Sequence, residues 1–389
     1  MTQDFPAPTR RLRLGFVGGG QGLIGDVHAN GARLSNRWEV VAGALSSKPD
    51  VAVASGHAWM LAEDRIYTDF REMARAEGAR ADGIDAVAIV TPNHLHAEAA
   101  LAFMDAGIDV ITDKPLCTTM QDAEALVAKQ RETGLVVGVT YAYASHHMMR
   151  QARAMVAAGQ LGEIRQIHVE YFQDWAMDLT VAEGAPTPWR MDPATSGPSF
   201  TVADIGTHAE HLARFVSGLE IEALRADFHV TGKPKPMEDT AFMHLRFEGD
   251  VPGTLMVSQT FAGSQCGFRL RVCGTKATLE WNQEEPEFLH FRQIGAPAQV
   301  ISRGHGAGML PEAERFVRMP RGHPEALSDA WANLYLEFAI AIEARRDGNA
   351  LPEGLLAYPD VIDGLKGMEF TAAAVASNAS MSWVDLPKA

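Results

Sequence analysis

Three stretches of this chain carry residue types whose spacing could do chemistry. In Val110-Ile111-Thr112-Asp113-Lys114-Pro115-Leu116 a β-branched run ends in an acid, a lysine and a proline. Proline lacks an N–H and fixes its own φ, so the strand stops there. Lys114 is thereby held at a strand's C-terminal end, where open α/β sheets bind ligands. In Asp204-Ile205-Gly206-Thr207-His208 helical spacing puts a carboxylate and an imidazole one turn apart on one face. An aspartate beside an imidazole fixes its tautomer and raises its proton affinity, which suits a general acid or base near neutral pH. The same pair also occurs as ordinary surface charge, and His211 beyond it reads as structural. In Gly18-Gly19-Gly20-Gln21-Gly22-Leu23-Ile24-Gly25 the pattern Gly-x-Gly-x-x-Gly fits residues 20–25, and its opening also fits at 18–20. Glycine permits φ > 0 and the close approach of a pyrophosphate. A helix resuming near Ile24 turns its N–H groups and dipole toward the phosphates.

These residues need elements to position them. Leu12–Val17 reads as a strand before the glycine turn, with a helix to about Leu34 and a second strand over Trp38–Leu45. Ala86–Val90 is wholly apolar, as a sheet covered on both faces requires. A helix over Ala97–Ala106, a strand over Ile108–Thr112, a capping box at Thr119-x-x-Asp122 and a sixth strand over Leu135–Thr140 follow. This alternation predicts an α/β fold with a doubly wound parallel Rossmann sheet. In it the main chain around Gly18, Gly20, Gln21, Gly22, Leu23 and Ile24 is placed to cradle a dinucleotide. NAD-binding folds often end the second strand in an acid. This chain has Ser46, Ser47 and Lys48 there, which tilts the expectation from NAD toward NADP; Lys48 reads equally well as a solvated turn residue. His94 and His96 read either as ribose contacts or as loop histidines open to water.

From about Ile164 the texture changes. Ile164–Phe172, Phe242–Phe247, Thr254–Thr260, Phe268–Cys273 and Ala277–Trp281 alternate with period 2, predicting a large, open, mostly antiparallel sheet buried on one face. His168, Glu170, His244, Arg246, Arg269 and Arg271 fall on the other face, which must meet water or another subunit. Residues 175–200 lack a period but carry aromatics, so they read as a long ordered loop of the kind that carries function; Trp175, Trp189 and Arg190 are its substrate-contact candidates. Residues 282–328 read as loop-rich, with His323 either reaching the site or sitting in a turn. Helices over Ala326–Ala344 and Pro359–Ala376 and an edge strand over Ser382–Leu386 close the chain. The expected domains are 1–143 for the nucleotide and 144–389 for substrate and oligomerisation, the C-terminal helix being able to pack back on the first.

Composition narrows the function classes. A chain of 389 residues exceeds what one core usually fills. A formal net charge of -15 argues against nucleic acid or an anionic membrane as partner. Three cysteines, Cys117, Cys266 and Cys273, are too few and scattered for a disulfide framework or zinc site, and no metal is expected. No apolar run reaches spanning length and the start lacks an apolar signal core, so the expected location is cytoplasmic.

The glycine-rich first turn, Thr91-Pro92-Asn93-x-x-His96, Asp113-Lys114-Pro115, Gly159-x-Leu161-Gly162-x-Ile164 and Asp204-x-x-x-His208 together resemble the Gfo/Idh/MocA family of oxidoreductases. The resemblance runs from about Arg13 to the C-terminal helix. It implies a Rossmann domain joined to an α/β domain with an open sheet, and hydride transfer between NAD(H) or NADP(H) and a carbon of a sugar, glycoside or cyclitol such as inositol. It further implies a homodimer or homotetramer through that sheet. Lys114 matches the family's catalytic lysine, and Asp204 and His208 its aspartate and histidine. His208 is then the base, Asp204 its orienter and a substrate ligand, and Lys114 the donor to the reacting oxygen. Thr91, Pro92, Asn93, His96, Asp113, Lys114 and Tyr141 fall at positions implied to touch the cofactor. Three departures stand out: Asp113 replaces the usual glutamate, the first turn is longer, and Tyr141 and Tyr143 stand where many members have Asn and Arg. Aromatic rings there suit stacking on a pyranose or nicotinamide, which makes Tyr143 a substrate candidate. An NAD-dependent glycosidase and a cofactor-binding sensor are the competing classes; retention of Lys114, Asp204 and His208 favours the dehydrogenase.

Overall fold

The structure is a computed structural model that describes residues 5, 7–181, 187–306, 308–352 and 354–387. It divides into two compact units, Gln3–Ser145 with Leu327–Leu365, and His146–Ala326 with Lys366–Ala389. The segment 327–365, expected in the second domain, clusters with the first unit.

In the first unit the order is β1 (Leu12–Gly18), α1 (Leu23–Leu34), β2 (Trp38–Ala44), α2 (Pro49–Ala58), α3 (Phe70–Ala79), β3 (Ala86–Val90), α4 (His96–Asp105), β4 (Asp109–Thr112), α5 (Met120–Thr133) and β5 (Val137–Val139). The strands pair in parallel in the order β2-β1-β3-β4-β5. The chain winds one way from β1 to β2 and the other way from β3 to β5, so β1 and β3 flank the switch point at which such sheets bind ligands. The strand over 137–139 is therefore the fifth, not the sixth. Between β2 and β3 the chain adds no full strand to the sheet; an isolated parallel bridge joins Gly43 to Ile66, and α3 packs on β2. Thr119 caps α5: its Oγ1 accepts from Asp122 N at 3.1 Å and donates to Asp122 Oδ2 at 2.7 Å, and Gly134 closes the helix at φ 65°.

The second unit runs through α6 (His147–Ala157), β6 (Ile164–Phe172), a short α7 (Pro193–Ser196), a π-helical turn over Val202–Gly206 and α8 (Thr207–Ser217). Strands β7 (Ile221–His229), β8 (Thr240–Phe247), β9 (Val251–Ser258), β10 (Gly267–Gly274), β11 (Ala277–Asn282), β12 (Phe288–Gln293) and β13 (Gln299–Ser302) follow, with a short α9 (Pro311–Glu314). The sheet order is β13-β12-β11-β10-β6-β9-β8-β7-β14, where β14 (Val384–Asp385) is the terminal edge strand. Every pairing is antiparallel except β6 with β9. Three strands escape the sequence pattern. A register shift between Ile221 and Ala223 breaks the period of β7, and β12 and β13 lie inside the stretch expected to be loop. Ile167, Val169, Tyr171, Met243, Leu245, Leu255, Val257, Leu270 and Val272 are all buried on one face; α6 and α8 pack on this unit's sheet.

Helix α10 (Leu327–Asp347) returns to the first unit, where it packs on α1. Two glycines make room for its aromatics. A Cβ on Gly31 would stand 2.8 Å from Trp331 Cβ, and one on Gly138 would stand 2.1 Å from the ring of Phe338. Burying Phe338 alone stabilises by roughly 1.5–3 kcal/mol. The last helix, α11 (Val361–Ser380), contains the boundary between the two units.

Candidate active site

In the first unit the glycine turn leaves β1 with Gly18 and Gly19 both at φ 77°. Gly25 is required by packing, since a Cβ there would lie 2.1 Å from Gly19 O. Gly22 is the N-cap of α1, provides no side-chain cap, and has open space where a Cβ would stand. Gly22 N donates to Gly19 O at 3.3 Å, closing the turn. The first N–H groups of an α-helix lack intrahelical partners, so Leu23 and Ile24 present donors with Leu23 78 % exposed. Across the switch point Thr91 Oγ1 is buried without a hydrogen-bond partner among the described residues. An anion cradle beside an orphaned hydroxyl fits a dinucleotide. At the end of β2, Ser46 Oγ accepts from Lys48 N at 3.1 Å; Ser47 and Lys48 are exposed, and Lys48 holds the N-cap position of α2.

The strand end at 113–115 is braced from within. Asp113 Oδ1 accepts from Thr140 Oγ1 at 2.7 Å and from Lys114 N at 2.9 Å, with His28 Nε2 3.9 Å away. Burial pushes the Asp113 carboxyl up, but the His28 ring, with Lys114 and His96, outweighs it and holds the group below the usual carboxylate range. His28 is itself fully buried, with Nδ1 2.9 Å from the Tyr335 hydroxyl. Asp113 thus anchors the Lys114 main chain.

Two ring contacts expected from sequence need correction. His96 is 1 % exposed, and its nitrogens lie 2.9 Å from Pro115 O and 2.9 Å from Thr91 O. Burial lowers its proton affinity; it ties together the two loops rather than presenting a ring edge to a ribose. Tyr141 is 1 % exposed, so its ring is closed to stacking. Tyr143, Pro92 and Asn93 are half-buried and His94 is exposed.

In the second unit Asp204 and His208 are the only residues of 201–217 that are not buried. Asp204 belongs to the π-helical turn, in which Thr207 N bonds back to Val202 O; His208 sits in the first turn of α8. Such π turns recur at functional sites because they re-aim side chains within a helix. Glu238 fixes the start of this helix by accepting from Val202 N at 3.2 Å and from Ser199 Oγ. Burial raises the Glu238 carboxyl, against the pull of those donors. Gln259, absent from the sequence-level candidates, is fully buried and donates from Nε2 to Asp204 Oδ2 at 2.7 Å. A glutamine at a strand end carries no signal of its own, and this contact spans fifty-five positions of chain.

Trp175 adjoins Ala176, whose N donates to Gln259 O at 3.0 Å; it is 47 % exposed, donates from Nε1 to Gln173 and stands edge-on to Phe200. The Arg190 guanidinium lies 4.3 Å from the Trp189 ring centroid, and both residues are exposed. His323 is exposed on a loop held by Arg303, whose Nη2 donates to His323 O at 2.6 Å. Arg303 in turn pairs with Glu325 at 3.0 Å, and Glu325 with His147 at 3.1 Å. Among the described residues no cluster of His, Cys, Asp and Glu could hold a metal ion, and no helix is long and apolar enough to cross a membrane.

Comparison with known proteins agrees with this geometry. The model of an oxidoreductase family with an NAD-binding Rossmann fold matches residues 12–141, and that of the GFO/IDH/MocA C-terminal domain matches residues 149–280. An uncharacterised oxidoreductase of Bacillus subtilis, YfiI, is 33% identical over 387 residues, covering 97% of each chain. The crystal structure of an inositol dehydrogenase homologue from Azotobacter vinelandii, complexed with NAD+, is 38% identical with a TM-score of 0.91, over 97% of this chain and 98% of that one. Levoglucosan dehydrogenase of Pseudarthrobacter phenanthrenivorans is 26% identical over 408 residues, 97% of this chain and 99% of its own. With both domain models matched over residues 12–141 and 149–280 and a relative 33% identical over 97% of both chains, the chain belongs to the Gfo/Idh/MocA family of NAD-binding oxidoreductases.

Proposed function

We propose that this oxidoreductase moves a hydride between a nicotinamide cofactor and a CH–OH carbon of a sugar, glycoside or inositol. The observation that carries the reading is that Asp204 and His208 alone stay half-buried along an otherwise buried helix, since a carboxylate and an imidazole that served packing only would be closed off like their neighbours. When bound, the nicotinamide supplies the acceptor or donor of hydride. The chain does the rest. The main chain of Gly18–Gly22 and the uncapped start of α1 hold the pyrophosphate, with Thr91 Oγ1 available to a cofactor hydroxyl or amide. Lys114 Nζ donates to the reacting oxygen and lowers its proton affinity. His208 takes the hydroxyl proton on oxidation and returns it on reduction, and Asp204 keeps the imidazole in one tautomer or holds a neighbouring hydroxyl. Trp175 and Trp189 offer apolar faces for the ring of a sugar.

Ser46, Ser47 and Lys48, with no acid at the end of β2, favour acceptance of NADP+ beside NAD+. The open face of the large sheet favours a homodimer or homotetramer, because Phe242, 47 % exposed, and the half-buried Met256 and Phe172 lie on it together.

The test is absorbance at the nicotinamide band over myo-inositol, scyllo-inositol, levoglucosan and D-xylose, with NAD+ and NADP+ in parallel. Reduction of either cofactor by at least one polyol is the expected result. Tight cofactor binding with no turnover of any polyol, nor of the matching keto-sugars with NADH, would overturn it.

A further inference from the structure

Gln259 follows β9 and reaches into the start of the helix that carries Asp204. Its Nε2 donates to Asp204 Oδ2 at 2.7 Å, and its Oε1 accepts from Thr201 Oγ1 at 2.8 Å. The second bond has a consequence for the first. A carboxamide offers donors at one end and an acceptor at the other in nearly the same shape. A hydroxyl that donates to the oxygen end directs the N–H end at Asp204. The main chain of Gln259 is fixed as well, since its N donates to Asp239 O at 2.9 Å and its O accepts from Ala176 N at 3.0 Å. The residue is fully buried and Thr201 is too, so neither side chain has an alternative partner in water.

We propose that Gln259 is the positioning residue of Asp204, and that Thr201 sets its orientation. This rests on the reading of Asp204 as part of the proton-transfer set. A neutral donor suits the task. It stabilises the ionised carboxylate and locks its rotamer, yet leaves the negative charge uncancelled for the imidazole or a substrate hydroxyl. An arginine or lysine in its place would neutralise that charge. Because Gln259 O also anchors Ala176, beside Trp175, the aim of the carboxylate and the docking of the tryptophan segment share one residue.

The experiment uses the full chain with NAD+ and myo-inositol, or whichever polyol of the panel above turns over fastest. Gln259→Leu is expected to lower kcat by about 10- to 100-fold while the Kd for NADH, read by fluorescence, is unchanged. Gln259→Glu keeps the shape but turns a donor into a second carboxylate. Its rate should be low at neutral pH and rise relative to the parent's as the pH falls, because the protonated glutamic acid donates again; the ratio of the two rates is the readout, since protonation of the base slows both. Thr201→Val should show a smaller loss that Thr201→Ser restores. Should Gln259→Leu not fold, the isosteric Gln259→Glu and the threonine pair carry the same test. A rate for Gln259→Leu within about 2-fold of the parent, or a Gln259→Glu pH profile that tracks the parent, would overturn the proposal. Asp204→Asn separates the two readings. If it retains full turnover, the catalytic reading itself fails; if it loses turnover while both Gln259 variants keep theirs, only the positioning role falls.

Discussion

The two sheets of this protein solve opposite problems. The five-stranded sheet is parallel, and Ala86–Ile89 and Val110–Ile111 have no exposure at all. With both faces occupied, its chemistry is confined to the strand ends, where the glycine turn, Thr91 and Lys114 emerge. The nine-stranded sheet covers one face with its own unit's helices and leaves charged and apolar side chains on the other. Cross-strand pairs such as Arg271 with Glu280 at 3.2 Å and Arg292 with Glu280 at 2.9 Å run across that open face. Its catalytic candidates stand on a helix, held there by contacts from distant strands. A covered sheet offers function only at its rim, whereas a half-covered one can give one face to its helices and the other to a partner.

If chemistry sits at the rim of the parallel sheet, it should be removable without loss of the sheet. Lys114→Ala is expected to lower kcat by about 100- to 1,000-fold, the cost of deleting a donor to a developing oxyanion. Asp113, Thr140 and His28 hold the local main chain independently of the lysine side chain, so thermal unfolding should not move by more than a few degrees. A variant that turned over within a few-fold of the parent would place the reacting oxygen elsewhere.

The open face gives the next contrast. Phe242→Glu with Met256→Lys puts two charges among apolar side chains that water already reaches, so the fold should survive. Light scattering should then report a smaller particle than the parent. An unchanged mass would mean that this face meets solvent, and that the sheet is half-covered for some other reason.

How much of this was legible in the sequence follows the same division. Ala86–Val90 and Ile164–Phe172 are found at their expected bounds, because continuous apolar runs and strict alternation are local signals. The glycine turn is likewise local: Gly18 and Gly19 take φ 77°, whereas Gly22 is at φ -111° and Gly25 is needed for its close approach to Gly19. Strand β7 is hidden because a register shift flips its inward residues partway along, and β12 because its alternation lasts only a few residues. Gln259, Glu238 and Thr201 are hidden for a different reason. Each acts through a partner far away in the chain or across the sheet, and a single glutamine or threonine has no periodicity to betray it. The burial of His96 and Tyr141 was equally out of reach, since a histidine or tyrosine after a strand reads the same whether its ring faces a ligand or the core.

The smallest expected effect tests how the half-covered sheet holds its connections. Between β7 and β8 the loop is clamped by Asp239, which accepts from Thr231 N at 2.8 Å, Gly232 N at 3.0 Å and Lys235 Nζ at 2.6 Å. Burial alone would raise this carboxyl, but Lys235 and the two main-chain donors prevail and bring it down to about 2. A folded value below the unfolded one means that the ionised form is what the fold stabilises. The contribution is therefore complete above the ordinary aspartate range and fades as pH falls from about 5 toward 2. Asp239→Asn cannot ionise, so it should unfold a few degrees lower than the parent at neutral pH and show a shallower loss of melting temperature in acid. The two melting curves should converge near pH 2 and diverge as pH rises. Parallel curves over that range would mean that the clamp works through shape alone, and that Asp239 gains nothing from its charge.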